Sequence, residues 1–225
     1  GNQNSTTVSN ALTIDTSAPG TGGGTGGGEN GTADGNGNQI RFDDDIINEA
    51  ESTGISISGV IESGATLNSV VISDGTGSIT IAGSDISVNS DGSYSLTGVD
   101  VSGLSDGELT VTASITDAAG NSGSVSDRVT LDTDAGSVSV NSLSTNDTTP
   151  ALSGSVSDPD ASVTVRVNGQ DYSATNNGDG SWSLADDSLS ALSAGSYDVT
   201  VTATDAAGNQ NSTTVSNALT IDTSA

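Results

Sequence analysis

Short runs in which Val, Ile or Leu alternates with Ser or Thr fill this chain, and that spacing limits its fold more than any other feature. In LTVTASI, Leu109, Val111, Ala113 and Ile115 fall on one side, with Thr and Ser on the other. SVTVRV does the same with Val163, Val165 and Val167, and ISISGVI with Ile55, Ile57 and Ile61. A period of two belongs to a strand with one dry and one wet face, not to a helix. Gly-, Asn- and Asp-rich stretches (SDGTG, NSDG, NNGDG, DAAGN) break the runs at hairpin spacing. The pattern predicts an all-β chain of antiparallel two-sheet sandwiches, with about seven strands in each. Trp182, the only Trp, is expected as a buried anchor between sheets.

Composition narrows the function. Only one residue in five is Leu, Ile, Val or Phe, and the formal net charge is −26. Chains of that kind border on disorder, so the cores must be thin and regular. With no Cys and no His, disulfide scaffolds, Cys/His zinc sites and His-based triads are excluded. There is no Lys, and Arg41, Arg128 and Arg166 are the three basic residues. Such a surface repels phosphate backbones, which argues against nucleic acid as a partner. No apolar run is long enough to insert in a membrane. GGGTGGG lacks a following Lys and is no phosphate cradle. With one Trp, three Tyr and one Phe, no aromatic-lined cleft for catalysis on a sugar is expected, and the chain reads as a non-enzyme.

The chain also repeats itself. Residues 1–18, GNQNSTTVSNALTIDTSA, recur letter for letter at 208–225, which implies a piece of a tandem array. A weaker repeat lies inside: ITDAAGN (115–121) returns as ATDAAGN (203–209), and NSDGSYSL (89–96) as NGDGSWSL (177–184). Upstream, ISGVIESGA (57–65) matches LSGSVSDPDA (152–161), so the first copy holds about seven extra residues in its middle. The expected organisation is a terminal strand of a preceding repeat at 1–18 and a Gly-rich linker at 19–38. Two immunoglobulin-like modules then follow at 39–135 and 136–225.

TNDTTPALSGS (145–155), DGSWSL (179–184), TATDAAGN (202–209), ALTIDTSAP (11–19) and DDDIINEAES (43–52) carry a family resemblance. The chain resembles the bacterial immunoglobulin-like repeats of giant biofilm-associated adhesins, including those of the RTX type. The resemblance implies secreted, cell-surface modules stiffened by Ca2+ that extend a distal binding region. It also implies neighbouring repeats of the same chain as partners, and a monomer.

The acids cluster in turns, often at i, i+2 spacing, and 24 of the 29 are Asp. Calcium takes six to eight oxygens, and short Asp side chains on tight turns can supply them. The immunoglobulin strand order would bring Asp132 and Asp134 of the entering segment to Asp158, Asp160 and Asp205 of two loops, at the expected junction of the two modules. A second ion is expected on Asp43, Asp45, Asn48 and Glu51 of the first loop of module one; Asp117, in the module-one loop that matches the one holding Asp205, is a separate metal candidate. DGNGNQIRFDDD (34–45) departs from an EF-hand at Gln39 and Asp45, which leaves Asp34, Asn36 and Asn38 as an irregular calcium loop. The bland reading is that Asp caps turns and keeps the array soluble. The expected function is a stalk-like extender repeat for adhesion and biofilm formation. The alternative is a module that binds polysaccharide or a neighbouring adhesin.

Overall fold

A computed structural model describes residues 18–19, 22–23 and 33–224. The described residues form two compact units, one made of those up to 47 with 51–131 and the other of 48–50 with 132–224. The expected terminal strand at 1–18 lies almost wholly outside the described residues. Among these there is no α-helix, and hence none that could cross a membrane.

In the first unit the strands are β1 (Gly22–Gly23), β2 (Gln39–Phe42), β3 (Ile46–Ile47), β4 (Ile55–Val60), β5 (Thr66–Ser73) and β6 (Ser78–Ala82). They continue with β7 (Ser93–Val99), β8 (Gly107–Thr116) and β9 (Ser122–Leu131). One sheet has the order β1-β9-β8-β5-β6, with β3 also on β9; the other is β2-β4-β7. The alternation explains the burial: Leu109, Val111, Ala113 and Ile115 of β8 are all fully buried, as are Val70 and Ile72 of β5 and Ile57 of β4. The first strand serves both sheets. β2 pairs antiparallel with β4, then the chain crosses at Asp43–Asp45 and β3 runs parallel to the end of β9.

The second unit holds β10 (Leu143–Thr145), β11 (Leu152–Ser155), β12 (Ser162–Val167), β13 (Gln170–Asn176), β14 (Ser181–Leu184), β15 (Gly195–Thr204) and β16 (Gln210–Ile221). Their order is β10-β16-β15-β12-β13-β14-β11. The path is continuous because β13 pairs with β12 over its first half and with β14 at Thr175 and Asn176. In the first unit β6 stops at Ala82 and a single 3₁₀ turn, Gly83–Asp85, follows. Ile72 and Val167 hold equivalent places, opposite Val111 and Val199, and pair with Ile79 and Gln170, so the extra residues of the first copy fall partly in the turn between β5 and β6 and partly between β6 and β7. Trp182 is fully buried.

Each core is keyed by an aromatic lying over a glycine. Tyr94 lies against Gly59, where a Cβ would overlap the ring, and its hydroxyl donates to the Gln39 carbonyl at 3.3 Å. Trp182 lies against Gly154 in the same way, and its indole N–H donates to the Ser139 carbonyl at 2.7 Å. Both rings thereby satisfy their own polar tip and a first-strand carbonyl while filling the core. Burial pushes the Tyr94 hydroxyl up from its ordinary pKa.

Candidate functional site

The acidic turns were the strongest candidates, and the structure shows what their carboxylates do. DxxGN occurs three times, as DGNGN (34–38), DAAGN (117–121) and DAAGN (205–209). In each, the Asp N–H donates to the Asn carbonyl and the Gly N–H to the Asp carbonyl. One carboxylate oxygen of Asp34, Asp117 and Asp205 accepts the Asn backbone N–H at 2.8 Å, and the other accepts the Asn side-chain amide at 2.8 Å. Asn36 is an outer residue of the first turn and gives its backbone N–H to Asp34. The Asn121 amide holds the Asp117 carboxyl below the ordinary carboxylate range, with backbone N–H donors adding to it.

In two of these turns the Asn amide is aimed by the Asp and fixes another segment. The Asn38 side-chain carbonyl accepts the Glu62 N–H at 2.8 Å, and Asn38 is fully buried. Asn209, also buried, accepts the Glu49 N–H at 2.8 Å and donates to the Asp132 carbonyl at 2.7 Å. Asn48 donates to the Ala207 carbonyl at 3.2 Å, so residues 48–50 are built into the second unit by main-chain recognition. The signal was legible: a five-residue motif, repeated three times, whose last residue is an amide.

In the second unit the entering segment reaches both of the loops expected near it, and the contacts are made by backbone, amide and hydroxyl groups. Asp132 reaches Asn209 through its carbonyl, and the Ser137 N–H donates to the Ser157 hydroxyl. Nearby, one oxygen of Asp132 accepts the Asp134 N–H, one of Asp134 the Gly136 N–H, and one of Asp158 the Asp160 N–H. Among the described residues no three acids form a group able to hold a metal ion. In the crossover, Asp43 accepts the Ser58 hydroxyl at 2.7 Å and lies 4.0 Å from the Arg41 guanidinium. The Asp45 N–H donates to Asp44, and the Glu51 carbonyl accepts the Gly54 N–H.

Two residues were not singled out by the sequence reading. Asp74 receives N–H donors from Ser105, Thr76 and Gly77 and the Thr76 hydroxyl, which together hold its carboxyl far below the usual range. Asp127 takes an inward position on β9 and is 1% exposed. One of its oxygens accepts the Phe42 N–H at 3.0 Å; the other is the buried side-chain oxygen without a partner among the described residues. No motif announces it, because its neighbours Val125 and Val129 look like any core strand.

A depression of about 360 Å³ is lined by Arg166, Asn168, Tyr197, Asp198 and Thr200. The groups there best suited to a sugar are already engaged, Tyr197 with the Ser193 carbonyl and Arg166 with Asp171.

Tandem two-sheet modules with the first strand shared between sheets define the immunoglobulin-like class. Residues 127–223 match the family model described as bacterial Ig-like domain, so the second sandwich belongs to that family. Comparison with curated proteins gives no match. Among solved structures, the chain is 31% identical to a tetra-tandem repeat in the extending region of a large adhesion protein. That alignment covers 79% of this chain and 49% of the other, with a TM-score of 0.35. A Ca2+-stabilized adhesin that helps an Antarctic bacterium bind ice gives 27% identity, 76% and 44% coverage, and a TM-score of 0.39. A 1.5-MDa bacterial ice-binding adhesin, studied for host cell surface retention, gives 22%, 82% and 66%, and 0.41. The chain spans about half the length of the first two. It is an immunoglobulin-like repeat that resembles the extender domains of large bacterial adhesins.

Proposed function

We propose that this chain is an extender segment of a secreted, cell-surface bacterial adhesin that carries load and spacing for a binding region elsewhere. The observation that supports this most directly is where the chain enters and leaves the second unit. The entering segment is held at Asn209, at the start of β16, and the chain leaves after Ile221, at its end. Tension therefore runs along a strand of 12 residues, a reach of about 40 Å at ~3.3 Å per residue. The letter-for-letter repeat at 1–18 and 208–225 multiplies that reach. The outward Ser, Thr and Asp side chains keep the stalk hydrated and self-repelling.

Calcium stiffening, which the resemblance implies, does not fit the side chains as they stand. A calcium cage needs converging oxygens, whereas here Asp134, Asp158 and Asp205 accept hydrogen bonds within their own turns and no three acids among the described residues form a group able to hold a metal ion. The extender reading therefore rests on protein contacts alone. It is tested by deleting one 207-residue repeat, the separation of the two identical segments, from the parent adhesin. Surface reach should shorten while affinity for the adhesin's target is unchanged. Binding of polysaccharide or cells by the isolated chain would overturn the reading.

A further inference from the structure

The Gly-rich tract has the composition of a spacer between modules, yet both of its ends are fastened to the first unit. On one side Pro19 is buried, and its carbonyl lies so close to β9 that a Cβ on Gly123 would overlap it. Gly22 and Gly23 then pair parallel with Val125 and Ser126 of β9. On the other side the DGNGN turn is fixed through the buried Asn38 to the Glu62 N–H and leads into β2 in the opposite sheet.

The second unit shows what the first contact is. There Gly136, which follows Thr133-Asp134-Ala135 as Pro19 follows Thr16-Ser17-Ala18, accepts the Asn211 side-chain amide through its carbonyl at 2.6 Å. Asn211 pairs with Ala203 as Gly123 pairs with Ile115, so Asn211 and Gly123 hold equivalent places on the closing strand. One unit brings the entering chain in through a missing side chain, the other through an amide. From there the second unit runs directly into its first strand, where Val138 bridges Val156. In the first unit, 15 residues of sequence separate Gly23 from Gln39, the first residue of β2.

We infer that the first module begins at Pro19 rather than at Gln39, and that the Gly-rich tract is a loop inserted within its first strand. It is not a spacer between modules. The tract then contributes nothing to the distance between successive modules, and its length can change without changing the reach of the array. Loop closure makes such changes cheap, because the cost grows only with the logarithm of length. The inference concerns one module and stands apart from the extender reading.

Because the chain has no Cys, spin labels on Ala18→Cys and Arg128→Cys of the full chain report the placement directly. Parallel seating on β9 predicts a narrow distance distribution near 20 Å. It should be unchanged when residues 24–32 are duplicated. Gly123→Ala, whose added carbon meets the Pro19 carbonyl, should broaden it. A broad distribution in the parent chain, or one that lengthens on duplication, would overturn the inference. So would a narrow, unshifted distribution in Gly123→Ala.

Discussion

The two units follow one plan, and they differ where each first strand meets its closing strand. At the place on the closing strand opposite Val111 in the first unit, and opposite Val199 in the second, stand Asp127 and Val215. In the first unit β9 is regular here and the first strand extends to Phe42, whose N–H turns to Asp127. In the second unit β16 bulges between its partners for Tyr197 and Val199, with Asn217 in the left-handed region and its N–H on Asp198. One module lengthens the crossing strand and buries an acceptor for the N–H it exposes. The other absorbs the slack in a bulge and keeps an apolar residue. A sandwich can thus change its strand register at a single edge provided every freed N–H finds an acceptor.

The largest test of this comparison removes the second key. Trp182→Ala should cost ~3–5 kcal/mol, confined to the transition of the second unit, with Tyr94 and the first unit untouched. Calorimetry of the whole chain resolves this as one shifted transition. Native emission from Trp182 should be blue-shifted, since the indole is fully buried; a solvent-like spectrum would contradict its place in the core.

A smaller effect is expected at Asp127. Asp127→Asn keeps an acceptor for Phe42, whereas Asp127→Val, which copies the second unit, strands that N–H. The Val variant should be the less stable of the two by about 1–3 kcal/mol in the first unit's transition. Equal stability would show that the Phe42 hydrogen bond does not hold the crossing strand.

The pH dependence should differ between units in the same direction. Asp74, Asp91, Asp100 and Asp117 in the first unit are held below the ordinary carboxylate range, against Asp179 and Asp222 in the second. The causes are Ser105, Thr76 and Gly77 N–H groups at Asp74, Ser93 at Asp91, Ser102 at Asp100 and Asn121 at Asp117; Ser181 and Ser224 act at the other two. A carboxyl with a lowered folded pKa stabilises the fold above its unfolded value and loses that contribution as the pH falls toward the folded one. Melting followed from pH 5 down to pH 2 should therefore fall more steeply for the first unit. Asp74→Asn should flatten that slope. An identical slope in both units would break the comparison.

The smallest expected effect is that of calcium. At ionic strength matched with sodium, calcium should leave both melting temperatures unmoved, and Asp158→Ala with Asp160→Ala should leave the second unit folded. A calcium-specific rise that this pair abolishes would mean that the loops rearrange around an ion.

The strands, their inward faces and the burial of Trp182 were legible in the sequence because alternation is a local property. A strand half buried in a sandwich needs little more than a period of two, and Val70, Val165 and Leu109 obey it. The acidic loops were legible only halfway. Strand order placed Asp132 near the loop at 205–209, yet the direction of each carboxylate follows from which N–H groups its own turn leaves free, a matter of ångströms rather than of spacing. Asp205 turns inward to Asn209, and the approach of Asp132 is made by its backbone carbonyl.

The Gly-rich tract and Asp127 mark the remaining division. Composition alone described residues 19–38 as spacer material, and the sequence determined that they hold too little apolar surface to form a core of their own. Only the tertiary structure decided that Pro19 and Asn38 are buried in the same unit. Likewise the sequence set an acid at 127, but the need for it arises from Phe42, 85 residues away. A backbone N–H becomes an orphan only once the strands around it are paired, and no local pattern records that.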